Sequence, residues 1–336
     1  MSFQVLEQHA LQSYNTFGLA ASARYFASVT SVDDLKQALA FQAPELILGG
    51  GSNVLLTRDL EGLVLHINFK GRRIIDQDDH SALVEFGAGE NWHDCVLQSL
   101  DWGLGGLENL SLIPGTVGAA PIQNIGAYGI ELKDCFDSLQ AFELSTGQLH
   151  RFDAEACQFG YRDSFFKRQG KGQFVIYSVR LRLTKEQVFH TDYGAIQRTL
   201  EEQGVQELSH KAISDAVIHV RRSKLPDPAV LGNSGSFFKN PSIGKVQFES
   251  LLARFPHMVH YPLPNNQFKI PAGWLIEQCG WKGKRVGRTG AYAKQALVLV
   301  NYGQATGQEV WQLAQNIQDS VASKFGIRLQ PEVNVI

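Results

Sequence analysis

Only four cysteines, Cys95, Cys135, Cys157 and Cys279, occur in the 336 residues, widely scattered and with no C-x-x-C pair. That pattern gives no disulfide framework and no thiolate zinc site, and the ten histidines show no ligand spacing such as H-E-x-x-H. No metal is expected. A basic field is missing too. The 31 Lys and Arg against 33 Asp and Glu leave a formal net charge of −2 and a pI near 6.6, which disfavours a nucleic-acid partner. No apolar run approaches membrane-spanning length, and the N-terminus lacks the basic-then-apolar pattern of a secretory signal. The expectation is a reduced, cytoplasmic protein without membrane insertion, its cysteines filling the core.

Internal repeats, low-complexity tracts and heptads are absent, and so are the two common phosphate motifs. Glu45-Leu-Ile-Leu-Gly-Gly-Gly-Ser-Asn-Val-Leu-Leu56 runs from an apolar strand through three glycines into a second strand, but Val54 stands where a G-x-G-x-x-G fingerprint needs its last glycine. No helix pattern follows, and no Gly-Lys-Ser/Thr makes a Walker loop. What is present is a second glycine-rich run, Glu108 to Gly129. Pro114 and Pro121 fix φ and remove donors, while Gly115, Gly118, Gly126 and Gly129 permit dihedrals closed to other residues, so the path is irregular. From Gly103 to Leu132 there is no Lys or Arg, so a phosphate held here would meet backbone N–H groups and the Gln123 and Asn124 amides. The run reads either as a connection between domains or as a ligand cradle; a second such loop favours the cradle.

With 44% hydrophobic and 19% charged residues, the chain has material for two or three domains with an ample core. A strand is expected at Ala23–Ala27, then a helix from Val32 capped by Ser31, then strands around 46–48 and 53–56, a small α/β unit. Strands at 63–69 and 82–87 follow, and Asn91 can cap a helix with Trp92, Cys95 and Val96 on one side. Past the glycine-rich run come a hairpin from Leu139 to Phe152 and a half-exposed strand from Phe174 to Leu183. A helix at 210–222 carries Ile213, Ala216, Val217 and Val220 on one stripe and delivers Lys224 just beyond its end. Pro226 and Pro228 then break the chain. Helices near 245–255, 271–279 and 307–325 and a strand at 296–300 complete it, the last helix opened by the capping box Thr306-Gly-Gln-Glu309 and closed by Gly326. The basic run Lys282 to Arg288 reads as a solvated loop.

The loops Gly49-Gly-Gly-Ser-Asn-Val-Leu and Ile113-Pro-Gly-Thr-Val-Gly-Ala-Ala-Pro-Ile-Gln-Asn-Ile-Gly-Ala-Tyr-Gly129 closely resemble those of the UDP-N-acetylenolpyruvoylglucosamine reductase (MurB) family, flavoenzymes of bacterial peptidoglycan synthesis. The likeness continues through Gly160-Tyr-Arg-Asp-Ser-Phe-Phe-Lys167, Arg221-Arg-Ser-Lys-Leu-Pro-Asp-Pro228, Gly232-Asn-Ser-Gly-Ser-Phe-Phe-Lys-Asn-Pro241, Ala272-Gly-Trp-Leu-Ile-Glu-Gln278 and Pro331-Glu332. It spans nearly the whole chain, in order. It implies an α+β fold: a two-part FAD-binding region of the vanillyl-alcohol-oxidase (PCMH) type, at 1–70 and 71–225, a smaller α/β substrate-binding domain at 226–328, and a C-terminal strand at 329–336.

The family's reaction reduces an enolpyruvyl ether to a lactyl ether, with hydride added to the vinyl CH₂ and a proton to its neighbour. The resemblance implies noncovalent FAD as cofactor, held by Gly49, Gly50, Gly51, Ser52, Asn53, Pro114, Gly115, Thr116, Gly118, Gln123, Asn124, Gly126 and Tyr128. NADPH is the implied hydride donor and a UDP-sugar the substrate, in a monomer. Ser236 is the implied proton donor, Arg162 the clamp on the substrate carboxylate, and Glu332 the catalytic glutamate. Glu332 is expected either as a neutral hydrogen-bond donor or as a polarising group acting with Arg162. In a regular terminal strand it would share a face with Arg328, Gln330 and Asn334, opposite Ile327, Leu329, Val333 and Val335. Tyr193, on a loop that closes over the substrate, Lys224 and Asn240 are the implied contacts of the uridine diphosphate.

Taken alone, these residues have plainer readings. Ser236 is a turn serine, Arg162 and Glu332 are surface ion-pair members, and Tyr193, Lys224 and Asn240 are a loop tyrosine, a solvated lysine and a turn asparagine. Two rival functions follow: a flavin oxidase or dehydrogenase sharing the FAD fold, and a sugar-nucleotide sensor that leaves NADPH unoxidised. Nicotinamide and substrate using one place in turn predicts ping-pong kinetics.

Overall fold

The computed structural model describes residues 3–336, and its helices begin where the sequence supplies caps. In chain order the elements are β1 (Leu6–Ala10), β2 (Ser22–Val29), α1 (Val32–Phe41), β3 (Pro44–Leu48), β4 (Val54–Leu55), β5 (Leu60–Ile67), β6 (Arg72–Gln77), β7 (Ser81–Gly87) and α2 (Trp92–Asp101). Then come β8 (Gly126–Ala127), β9 (Ile130–Glu131), β10 (Phe136–Glu143), β11 (Leu149–Asp153), α3 (Ala154–Cys157), β12 (Phe174–Thr184), α4 (Gly194–Glu202) and α5 (His210–Lys224). The last third gives β13 (Gly232–Ser236), β14 (Ser242–Gly244), α6 (Lys245–Arg254), β15 (Tyr261–Leu263), β16 (Gln267–Lys269) and α7 (Ala272–Gln278). It ends with β17 (Arg285–Val286), β18 (Thr289–Ala291), β19 (Val298–Asn301), α8 (Gly307–Phe325) and β20 (Asn334–Val335).

The chain divides into two units. The first holds the residues up to His9, Ala23–Gly51 and Leu60–Ser223; the second holds Ala10–Ser22, Ser52–Asp59 and Lys224–Ile336. In the first, a four-stranded sheet is ordered β1-β2-β5-β3, with β5 parallel to both β2 and β3. That arrangement is the crossover expected when a helix such as α1 links strands. Ser31 and Asp34 form a reciprocal capping box at its start. A five-stranded antiparallel sheet, β11-β10-β12-β7-β6, completes the unit. Its inner face and α2 bury Phe86, Trp92, Val96, Leu139, Val179 and Leu181 in a common core. Asn91 caps α2 through Asp94 N, and Trp92 donates its indole N–H to Leu110 O at 3.0 Å, which ties the glycine-rich run to the helix.

The second unit packs an antiparallel sheet, β13-β19-β18-β17, against α8 and α7, with Phe237, Phe238, Leu275, Val310 and Ile317 in the core. Thr306 and Glu309 form the α8 capping box, and Gly326 ends the helix at φ 66°. Three differences from the sequence expectations stand out. Residues 10–22 and 52–59 leave the first subdomain for the second unit: Asn233 N donates to Thr16 O at 3.0 Å and Asn301 Nδ2 to Phe17 O at 2.9 Å, and β4 pairs in parallel with β20. Nor is the C-terminal segment a regular strand: only Asn334 and Val335 are β, and Val335 is exposed where alternation predicts burial. Lys224 is the last residue of α5, not one beyond it.

Candidate active site

The two glycine-rich loops meet backbone to backbone inside the first unit. A Cβ on Gly49 would lie 2.5 Å from Thr116 Oγ1, and one on Gly50 would lie 3.0 Å from Gly115 Cα. Gly118 is seated as tightly, 2.7 Å from Ala88 Cβ by the same construction. Three residues with side chains in the long loop also adopt left-handed backbone: Leu112 at φ 59°, Asn124 at 45° and Tyr128 at 51°. Each such residue costs on the order of 1–3 kcal/mol and persists only where the surroundings over-determine it. The loop is fastened from below, with Trp92 N donating to Gly115 O at 3.0 Å, Val117 N to Glu90 O at 2.9 Å and Gly118 N to Ala88 O at 2.8 Å. Two of the N–H groups expected to meet a phosphate are therefore already engaged.

Asn124 departs from its expected role. It is fully buried, its Nδ2 donates to Glu131 Oε2 at 3.0 Å and to Gly160 O at 3.1 Å, and its Oδ1 accepts from Lys133 N at 3.0 Å. Both ends of the amide side chain are thus taken up in bracing the loop. Gln123 beside it is half-buried.

Arg162 stands at φ 53° in a turn closed by the Gly160↔Asp163 bridge. Its Nη2 donates to Gly126 O, and its guanidinium lies over the Tyr161 ring at 5.3 Å. A left-handed arginine held to the glycine-rich loop is a cation with a preset position.

In the second unit, β13 carries a bulge between Asn233 and Ser236 in its pairing with β19. Asn233 Oδ1 accepts from Gly235 N at 2.9 Å, Gly235 sits at φ 71°, and Phe237 and Phe238 behind it are buried. The bulge turns Ser236 outward and exposed while the two phenylalanines anchor it, a common device for aiming a side chain. The Glu332 backbone lies alongside: its N–H donates to Phe237 O at 2.8 Å, next to the bridge Phe238↔Pro331. Asn53 also reaches this segment, donating from Nδ2 to Glu332 O at 3.4 Å, and its own carbonyl accepts from Asn334 Nδ2 at 3.0 Å. The fold thus assembles Ser236, Glu332 and the end of the first glycine loop from three distant parts of the sequence. Asn240 Oδ1 accepts from Ala272 N at 2.9 Å, which fixes that end of the amide at the start of α7. Lys224 is exposed.

Tyr193, back in the first unit, is half-exposed and precedes α4. Its ring meets Tyr128 edge-on, with centroids 5.2 Å apart. Burial, outweighing the nearby Arg221, pushes the Tyr128 hydroxyl up. Arg221 was legible only as part of a motif. It comes from α5 to lie beside Tyr128, and its shielded Nε has no hydrogen-bond partner among the described residues. A half-buried guanidinium therefore borders, at Tyr128, a loop that has no Lys or Arg of its own. The cations of the 282–288 run are engaged locally: Lys282 pairs with Glu277 at 2.9 Å, Arg285 lies over Tyr302 at 4.5 Å, and Arg288 donates to Gln304 O at 2.8 Å.

Residues 227–336 match the model of the C-terminal domain of UDP-N-acetylenolpyruvoylglucosamine reductase, and residues 23–153 match that of an FAD binding domain. The UDP-N-acetylenolpyruvoylglucosamine reductase of Pseudomonas aeruginosa is 52% identical over 339 residues, covering 100% of each chain. That of Burkholderia lata is 51% identical over 337 residues, 98% of this chain and 97% of its own. Among solved structures, the Thermus caldophilus reductase (MurB) aligns with a TM-score of 0.69 at 25% identity, over 100% of this chain and 99% of that one. The 6-hydroxy-D-nicotine oxidase of Arthrobacter nicotinovorans aligns with a TM-score of 0.51 at 12% identity, over 99% and 89%, a likeness of fold alone.

Proposed function

The chain belongs to the UDP-N-acetylenolpyruvoylglucosamine reductase family, and from that membership we propose how its own residues carry the reaction. It is an FAD-containing oxidoreductase of peptidoglycan precursor synthesis that reduces UDP-N-acetylglucosamine enolpyruvate to UDP-N-acetylmuramate, with NADPH as hydride donor. Its fold is α+β, with a PCMH-type FAD-binding region. The two glycine-rich loops fit the cofactor: their backbones touch with no Cβ between them, and Arg221 brings a cation to their edge. Gly49, Gly50, Gly51, Ser52, Asn53, Pro114, Gly115, Thr116, Gly118, Gln123, Gly126 and Tyr128 would hold it.

FAD, once bound and reduced by NADPH, supplies the hydride that goes to the vinyl CH₂ carbon. The π pair then moves onto the neighbouring carbon and its carboxylate. Arg162 binds that carboxylate through its fork of N–H donors and favours the charge that develops on it. Ser236 gives its O–H proton to the carbon; the hydroxyl is a weak acid, but the enolate-like acceptor is strongly basic. Glu332, whose backbone is paired beside Phe237, polarises the same group or donates to it as a neutral acid. Tyr193, Lys224 and Asn240 hold the uridine diphosphate. We further propose a cytoplasmic monomer, in keeping with four unbonded cysteines.

The observation that carries these roles is the hydrogen bond from Glu332 N to Phe237 O, which puts the glutamate next to the serine strand. Ser236→Ala tests them. NADPH should still bleach the flavin at the parental rate, while reoxidation by the enolpyruvyl substrate should slow about 10²- to 10⁴-fold, the contribution of a general acid. Reoxidation at the parental rate would remove Ser236 from the mechanism.

A further inference from the structure

Residues 185–193, between β12 and α4, lead to Tyr193, and side chains from two other parts of the first unit hold the backbone of this segment. His210, the first residue of α5, has Nε2 3.0 Å from Glu186 O and Nδ1 2.9 Å from Glu108 Oε1. Its ring also meets Phe189, with centroids 5.1 Å apart. Asn109, next in sequence to Glu108, donates through Nδ2 to His190 O at 2.9 Å and to Tyr128 O at 3.2 Å. One amide therefore joins the tyrosine segment to the glycine-rich loop. Gly105 makes room for the imidazole, since a Cβ there would collide with the ring, and its backbone bridges Thr184 where the segment begins.

The partners of His210 fix its proton count. A carboxylate and a peptide carbonyl are both pure acceptors, so each ring nitrogen must donate, and only the imidazolium does both. Neutral His210 could keep one N–H on Glu108, but would then turn a lone pair toward Glu186 O.

We propose that Glu108, His210 and Asn109 are positioning residues that hold the 185–193 segment for Tyr193 to close on the substrate, and that the hold requires His210 as imidazolium. The proposal rests on the reading that Tyr193 contacts the sugar nucleotide. The surroundings favour the charged pair. The hydrogen bond it donates to Glu108, against burial, holds His210 above its ordinary 6.5. Burial pushes Glu108 up, but hydrogen bonds from His210 and from backbone N–H groups outweigh it and leave the carboxyl below its ordinary 4.5. Other charged groups nearby have their own partners: the Glu186 carboxylate takes His80 at 2.9 Å, and Lys211 on the same helix takes Asp215 at 2.6 Å. The hold is thus complete at pH values between the two ordinary ones. It fades as pH rises through the raised His210 value, and fails in acid as Glu108 is protonated.

The test uses the FAD-loaded enzyme. KM for UDP-N-acetylglucosamine enolpyruvate is measured across pH for the parent, His210→Gln, Glu108→Gln and Tyr193→Ala, together with amide hydrogen-exchange protection of residues 185–193 without substrate. In the parent, KM should rise about tenfold or more through the His210 titration, the effect of losing a charged hydrogen bond. Glu108→Gln should move that rise to lower pH. His210→Gln should keep kcat within a few-fold, hold a high KM flat across that range, and lose protection in the segment. A KM raised by Tyr193→Ala but indifferent to His210→Gln overturns the proposal and leaves the Tyr193 reading standing. A KM indifferent to Tyr193→Ala overturns that reading and the proposal with it. Should His210→Gln fail to fold, the displaced profile of Glu108→Gln decides alone: an undisplaced one overturns the proposal.

Discussion

Gly50→Ala adds one methyl group where the two glycine-rich loops touch. That Cβ would sit 3.0 Å from Gly115 Cα and 3.3 Å from both Gly115 C and Thr116 N, against ordinary contacts of 3.4–4 Å. All three neighbours are backbone, so no side chain can swing away. Gly115 itself is at φ 118°, a conformation that resists adjustment. Overpacking of this kind costs about 1–3 kcal/mol. Since the loops are the proposed flavin cradle, the cost should fall on the bound state. At about 1.4 kcal/mol per tenfold, FAD affinity should drop roughly 5- to 150-fold. The assay is titration of the apoprotein with FAD, followed by flavin fluorescence, with thermal midpoints taken with and without cofactor. Gly194→Ala is the control, because a Cβ there meets nothing within 4 Å. If Gly50→Ala binds FAD within twofold of the parent, the loops are not the cradle.

Other outcomes follow from buried groups and caps. Glu85 on β7 receives Arg180 Nε at 2.7 Å and Arg73 Nε at 3.0 Å; Glu85→Gln should destabilise the first unit by about 1–3 kcal/mol, read as a lower Tm. Burial pushes the Glu85 carboxyl up, but the two arginines hold it below its ordinary 4.5. Its contribution is therefore present above that value and lost as pH falls through the depressed one, so the parent should lose Tm in acid more steeply than Glu85→Gln. Burial pushes Cys95, Cys135 and Cys157 up to about 12, and only Cys279 is half-exposed. A thiol reagent at neutral pH should titrate at most one equivalent before unfolding and four after. Thr306→Ala removes the α8 cap and should cost about 1 kcal/mol in urea unfolding; an unchanged midpoint would mean the capping box does not stabilise the native state.

Local signals were easily legible. Ser31, Asn91 and Thr306 cap the helices they were expected to cap, and the alternation along β12 survives as buried Val179, Leu181 and Leu183 beside solvent-facing Arg182. What escaped depends on partners far away in the chain. β6 is mostly exposed and rich in charge, with little apolar alternation; it is a strand because β7 pairs with it. Val335 broke its alternation because a two-residue strand follows its partner β4 rather than a buried face. Asn124 looked like a ligand amide and turned out to be a brace, since nothing local announces Gly160 and Lys133 as its partners. Arg221, Glu108 and His210 carry no local signal for the same reason: each gains its meaning from a contact made across roughly a hundred residues.

One anaerobic cuvette reads both half-reactions in turn. The purified protein should show a flavin spectrum; NADPH should bleach it, and UDP-N-acetylglucosamine enolpyruvate should restore it in an amount equal to the enzyme. Bleaching without recovery would reject the substrate, and a protein that neither carries nor takes up FAD would contradict the account at its base.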